Sequence, residues 1–324
     1  MASSPPPRSR PCAAASKTTS LRIWSPSVLW RFRPCPSTPT ASSIAAPWPS
    51  TSKPWSADMA TYALTDLLRA LRTLHKEPPG LVFVHSSLFQ LGLLQGATPA
   101  AIPELIYETL REHLGPQATI AVPTFNFGFC RGELFDRTST PSRQMGALAE
   151  FVRTLPHARR SAHPMQSIAA VGPLAAALTA PDTAGAFERG GSFDTLIEYD
   201  ARILTLGCGL EPVSLVHWAE ERVGVPYRAW KSFCAPYRSA GVARMRTYRM
   251  YARDLSLGLQ ANITPLTAAL THNRQLHHHR LGASQLTSVS SRDFVNTAIA
   301  LLEANPWALV THSGTDGSLS PGGI

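Results

Sequence analysis

The chain predicts an α/β fold: a layered central β-sheet flanked by helices. Three observations carry this. Short apolar runs rich in β-branched and aromatic residues recur, as LVFVH (81–85), TIAVPTF (119–125) and ARILTLG (201–207). Segments with apolar residues at helical spacing alternate with them, the pattern of strand–helix layering. Composition, 44% hydrophobic and 16% charged over 324 residues, allows a core of useful size.

The elements follow in order. MATYALTDLLRALRTL opens an amphipathic helix, and LVFVH reads as a buried strand. PAAIPELIYETLREHLG is a helix with Pro near its start, where a missing N–H costs little, and Gly at its end. TIAVPTF is a second buried strand, closed by Pro123. MGALAEFVRTL is a helix, SIAAVG and ARILTLG are strands, and VSLVHWAEERVG is a helix ending at Gly224. No internal repeat is present, and no run of 18 apolar residues suggests a membrane span.

Residues 1–58 stand apart. They hold 11 of the 28 prolines and four of the seven tryptophans, and no period of 2 or 3.6 persists. They are expected to be a disordered or non-native N-terminal extension. Rich in Arg and Ser, the segment has some features of a transit peptide but no long amphipathic helix. Met59 is the expected functional start, 59–312 the folded domain, and 313–324 a flexible tail. The formal charge of +9 divides unevenly: residues 1–58 carry seven Lys/Arg against one acid, and residues 59–324 carry 23 against 20. With no dense basic stripe in the remainder, nucleic acid is not an expected partner. Five scattered cysteines without C-x-x-C spacing argue against a disulfide framework or a thiolate zinc site, and fit a reducing, cytoplasmic location.

Four stretches carry candidate chemistry. SLVHWAE places His217 and Glu220 on one helix face. A metal pair, a catalytic base with its helper, and a buried histidine satisfied by its neighbour all fit that spacing. VHSSLFQLG puts His85, Ser86, Ser87 and Leu88 where a strand ends, a turn whose N–H groups suit an oxyanion or phosphate. It is equally an ordinary polar cap. ARRSAHPMQS gathers Arg159, Arg160, Ser161, His163 and Ser167; guanidinium suits an anionic ligand, and a solvated basic loop is the plain alternative. His277–His279 read as a solvated turn, since consecutive residues point apart. The G-x-G of LGCGLEP lacks the third glycine of a dinucleotide fingerprint.

Taken in order, VHSSL, VPTF, FDRTSTPSRQMGALAEFVR, ARRSAHPMQSIAAVGPLA and LGCGLEPVSLVHWAEE resemble the aminoglycoside 3-N-acetyltransferase family over about residues 60–310. The resemblance implies an acetyltransferase domain with an α/β fold distinct from the common GCN5-like one. It implies acetyl-coenzyme A as co-substrate and an amino group of an aminoglycoside or related amino sugar as acceptor. It places His217 as general base, with Glu220 in the same motif; a second orienting acid has no clear motif match, and Asp254, in MYARDL, is the candidate for it. It assigns His85, Ser86, Ser87, Leu88, Arg159, Ser161 and Ser167 to the coenzyme, and Asp136, His163 and Glu221 to the acceptor. No metal is implied, and a homodimer is the assembly to test. The chain departs at Gln95-Gly96, where the family shows paired glycines, at Ala118-Thr119, and at Ser214, where a Thr is usual.

The expected reaction is direct transfer in a ternary complex. Histidine, with an ordinary pKa near 6.5, suits removal of an amine proton. An acyl-enzyme on Cys130, Cys208 or Cys234 is the less favoured route. Two other classes compete: a metal-dependent hydrolase using His217 and Glu220, and an inactive relative that only binds coenzyme A.

Overall fold

A computed structural model describes residues 60–312. The expected extension 1–58, Met59 and the tail 313–324 lie outside the described residues.

A seven-stranded sheet organises the molecule. From one edge its strands are His277–Leu281, Ser284–Ser290, Arg202–Leu206, Leu81–Ser86, Thr119–Pro123, Ile168–Val171 and Arg159–Arg160. The central three are parallel, and the outer pairs are antiparallel. Helices cover both faces, so the central strands read as continuous apolar runs. Alternate residues serve the two layers. Val82, Val84, Ile120 and Leu204 meet Leu67, Leu71, Ile106, Leu110 and Val152 of helices Leu64–Leu74, Ile102–Leu114 and Ala147–Thr154. Phe83, Ala121 and Ile203 meet Phe193, Leu215, Leu266 and Phe294 of helices Ser192–Glu198, Leu215–Val223, Thr264–His272 and Ser291–Ala304. The strands and helices expected from the apolar runs are therefore present.

The chain order reverses beside Leu81–Ser86: one parallel neighbour comes next in the sheet's sequence order, the other only after the chain has crossed back. The carboxyl ends of the strands at such a switch point form a crevice suited to ligands.

Two features differ from the sequence reading. His277–His279 lie on an exposed edge strand, not in a turn; the tight connection at Gly282 (φ 56°) folds it back on Ser284–Ser290. Its polarity reflects an edge facing water. The second is a long hairpin, Arg228–Ser239 with Val242–Arg253, joined through Ala240 (φ 49°) and Gly241 (φ 77°). Left-handed residues at both turn positions match the twist of paired strands. Ala235, Tyr237, Tyr248 and Met250 seat it on Phe129, Phe135 and Met165.

Candidate active site

His217 is the third residue of helix Leu215–Val223, which Leu215, Val216 and Ala219 anchor in the core against helix Ser291–Ala304. The imidazole is 5% exposed and Glu220 3%. Nδ1 of His217 lies 2.6 Å from Oε2 of Glu220. The same oxygen receives Nη2 of Arg228 at 2.8 Å, and Oε1 accepts from the Tyr227 hydroxyl at 2.9 Å. Arg228 Nη2 also lies 3.0 Å from Nδ1. A carboxylate only accepts, so the proton between Nδ1 and Glu220 must sit on Nδ1. That excludes a hydrogen bond from Arg228 to Nδ1 and makes Nε2 the ring's basic nitrogen.

The electrostatics agree with this assignment. Burial lowers the His217 pKa below 6.5, Arg228 lowers it further, and Glu220 opposes both. Burial alone would raise Glu220, but Arg228, His217 and Tyr227 overcome it and bring the carboxyl to about 2. The pair is therefore neutral imidazole with carboxylate at neutral pH, a base with an orienting acid.

The remaining predicted residues separate into groups. Ser86, Ser87 and Leu88 lie at the carboxyl end of the central strand, where a 3-10 turn, Leu88–Leu91, begins. The N–H of Ser87 donates to the Leu206 carbonyl, and Gly207 packs on the Ser87 carbonyl, joining the turn to the next strand. His85 is buried against Phe83, and burial lowers it to about 3. A row of rings, Phe83, Phe193, Phe187 and His217, connects this strand to the base. Glu221 lies one residue beyond Glu220 on the same helix; burial, reinforced by Glu188, pushes its carboxyl up to about 7.

Others do not meet the base. Asp254 is exposed, and its carboxylate accepts from the N–H and hydroxyl of Ser256. It caps a turn and makes no contact with His217, whose Nδ1 is held by Glu220. Ser161 accepts from the Ile168 N–H, and Ser167 bonds Thr124 and Arg160. Both are at most 1% exposed and brace the scaffold. His163 is buried, with Nε2 against the Arg249 carbonyl and Nδ1 accepting from the Gln166 N–H. Asp136 accepts from the N–H groups of Thr138 and Ser139 and pairs loosely with Arg238. Arg159 is exposed on the sheet edge, in a groove of about 550 Å³ with Arg137, Arg153 and Thr179, which none of His217, Glu220 or Ser86–Leu88 lines.

Sequence reasoning missed Tyr227, Arg228 and Arg253. Their signal lay in the Ser-Ala-Gly turn at 239–241: counting back from it pairs Arg228 with Arg253 across the hairpin.

Among the described residues, no group of three or more His, Cys, Asp and Glu is placed to hold a metal ion, and no helix is long and apolar enough to cross a membrane. Comparison with known families adds the deciding observation: residues 83–303 match the family model described as aminoglycoside 3-N-acetyltransferase. The chain belongs to the aminoglycoside 3-N-acetyltransferase family. It is 31% identical over 189 residues to aminoglycoside N(3)-acetyltransferase III of Acinetobacter baumannii, covering 52% of this chain and 64% of that one. It is 27% identical over 202 residues to aminoglycoside N(3)-acetyltransferase VII of Streptomyces paromomycinus, 53% and 65% respectively. The chain thus spans slightly less than two thirds of these relatives. The fold matches the apoenzyme of aminoglycoside acetyltransferase AAC(3)-IVa (24% identity, TM-score 0.65, 78% of this chain and 93% of that chain). It also matches AAC-IIIb solved as a binary complex with CoASH (21% identity, TM-score 0.65, 76% and 97%).

Proposed function

We propose that the protein is an acetyl-coenzyme A-dependent N-acetyltransferase acting on an amino group of an aminoglycoside or related amino sugar, with His217 as general base. The observation that carries this reading is the buried His217–Glu220–Arg228–Tyr227 cluster in a chain of this family. A relative solved with CoASH and another solved with a gentamicin support the two ligand classes.

Acetyl-coenzyme A supplies an activated acyl carbonyl on a thiol leaving group. Nε2 of His217 accepts the acceptor amine's proton as the nitrogen attacks that carbon; the N–C bond forms and the C–S bond breaks. The imidazolium, held by Glu220 through Nδ1–H, then returns the proton to the departing thiolate. N–H groups opening the Leu88–Leu91 turn, at the carboxyl end of the central strand, would stabilise the charge developing on the acyl oxygen. Ser87 is not one of these donors, because its N–H is already bonded to Leu206.

Direct transfer is favoured over an acyl-enzyme at Cys130 or Cys208. Burial pushes each of these thiols up to about 12, so neither is a ready thiolate. A metal-dependent hydrolase is disfavoured because both Glu220 oxygens are committed and one faces a guanidinium. The test is thiol release from acetyl-coenzyme A across a panel of amines, with the acetylated product identified by mass spectrometry. Release that depends on an amino sugar supports the reading. No amine-dependent release, with coenzyme A still bound, selects the inactive-relative alternative.

A further inference from the structure

The edge strand Arg159–Arg160 borders the groove of about 550 Å³. Four arginines from separate elements line it. Arg159 and Arg160 come from the edge strand, Arg137 follows strand Phe135–Asp136, and Arg153 lies in the last turn of helix Ala147–Thr154. No lining residue is acidic. Two acids adjoin the groove, and each has an arginine of its own. Glu150 takes two N–H groups of Arg153 at 2.9 and 2.6 Å, and also accepts from the N–H and hydroxyl of Ser142. Asp136 accepts from the N–H groups of Thr138 and Ser139 and faces Arg238 at 3.6 Å. The other three arginines form no ion pair with a carboxylate among the described residues. Arg137 donates to the carbonyls of Arg160 and Thr179, and Arg160 to Ser167 and the carbonyls of Thr124 and Thr140. Neutral acceptors satisfy these donors and leave the charges standing. Thr179 ends a short helix, whose dipole offsets only a fraction of one charge. Arg159 is exposed, and its guanidinium has no partner among the described residues. The crowding is felt: burial lowers Arg160 to about 9, Arg153 lowers it further, Glu150 and Tyr237 oppose this, and Arg137 adds to it.

We propose that this groove is a second ligand site and takes a sugar phosphate, with Arg159 clasping the phosphoryl oxygens while Arg137 and Arg160 supply positive charge behind it. A phosphomonoester carries close to two negative charges at neutral pH and three acceptor oxygens, and the guanidinium fork matches two of them. The walls are fixed in advance, because Arg137, Arg153 and Arg160 are already held by hydrogen bonds, so binding has little beyond Arg159 to order. The volume is that of a small-molecule site. No aromatic side chain lines it, so a nucleobase would find no stacking partner. The exposed hydroxyls of Thr138 and Thr154 suit a polyol in its place. None of His217, Glu220 or Ser86–Leu88 borders the groove, so the inference goes beyond the proposed acetyl transfer and does not rest on it.

The experiment is titration calorimetry of the full chain with glucose 6-phosphate at about pH 7.5, where the phosphoryl group is a dianion. Saturable binding at one site is expected, with none for glucose and weaker binding for inorganic phosphate. Arg159→Glu should weaken the affinity for glucose 6-phosphate at least about 10-fold without lowering the melting temperature, since the side chain has no partner to lose. If that variant does not fold, Arg159→Ala serves, with a smaller loss expected. Arg244→Glu, at an exposed position in the long hairpin, should bind as wild type does. Saturating coenzyme A should leave the affinity unchanged. Absence of binding overturns the proposal. So does an affinity no greater than that for inorganic phosphate, which would reduce the groove to a bare-anion site. A loss as large in Arg244→Glu as in Arg159→Glu would mean a diffuse positive field and no site. Displacement by coenzyme A would return Arg159 to the coenzyme.

Discussion

Replacing Glu220 with Gln keeps the shape of the side chain and removes its charge. Three donors converge on the carboxylate: His217 Nδ1–H, the Arg228 guanidinium and the Tyr227 hydroxyl. One amide oxygen cannot serve all three, and the amide NH2 faces a donor in place of an acceptor. The magnitude follows from the pair's own titration. The Glu220 carboxyl falls from 4.5 to about 2 despite a burial that opposes ionisation. Each unit is worth about 1.4 kcal/mol, so the carboxylate contributes about 3 kcal/mol of stability at neutral pH. Breaking a buried ion pair by removing one member costs about 3–5 kcal/mol, in agreement. The sign is that of a depressed acid: the contribution is complete above pH 4.5 and disappears as pH falls toward 2. Urea unfolding of wild type and Glu220→Gln should therefore differ by about 3 kcal/mol at pH 7, and by a similar amount at about pH 5.5. In parallel, kcat/KM should fall at least about 100-fold, since the base loses the group that fixes its tautomer. A stability difference under about 1 kcal/mol would refute the view that Glu220 is the keystone of a charged cluster.

Other predictions follow from the same packing. His75, His85 and His163 are buried and lowered to about 4, 3 and 4, so each stabilises the fold fully above pH 6.5 and loses that stabilisation as pH falls through the window below it. At pH 5 each loss is about 2 kcal/mol; Glu221, raised to about 7, runs the other way and offsets part of it, so denaturation curves should still show a clear loss between pH 7 and 5. A flat profile would contradict the buried, neutral state of these rings. Gly207→Ala should lower the melting temperature: its φ of 74° disfavours a side chain, and a Cβ there would sit 2.5 Å from the Ser87 carbonyl oxygen. Ser167→Ala should cost about 1–2 kcal/mol of stability by orphaning buried Thr124 and Arg160 groups, while leaving KM for acetyl-coenzyme A unchanged. A raised KM with unaltered stability would return Ser167 to the coenzyme. Asp254→Asn should leave kcat at the wild-type value, and a large fall would restore it as the orienting acid.

Much of this was legible in the sequence because the central strands are buried on both faces. LVFVH, TIAVP and ARILTL announce themselves by continuous apolarity, and the helix between the first two carries Pro and Gly at opposite ends. The His217–Glu220 contact was legible because it is local, three residues apart on one helix. The hairpin was not, because it packs a narrow apolar seam and exposes long charged side chains, so its alternation is faint. With it went Arg228, which meets Glu220, and Arg253, paired with it across the strands by a turn that begins after Ser239. The R-S-x-H-P loop was ambiguous for a different reason. Arg160, Ser161, His163 and Ser167 have ligand-like chemistry but spend their hydrogen bonds inside the scaffold. Polar residue types reveal hydrogen-bonding capacity; only the fold shows which partner uses it.

The central claim is that Nε2 of His217 takes the acceptor's proton. Its most direct test is kcat/KM for acetyl transfer to an amino sugar in wild type and in His217→Ala, with circular dichroism to confirm that both are folded. The rate should fall about 10²–10⁴-fold in the folded variant. Equal rates in the two proteins would contradict it.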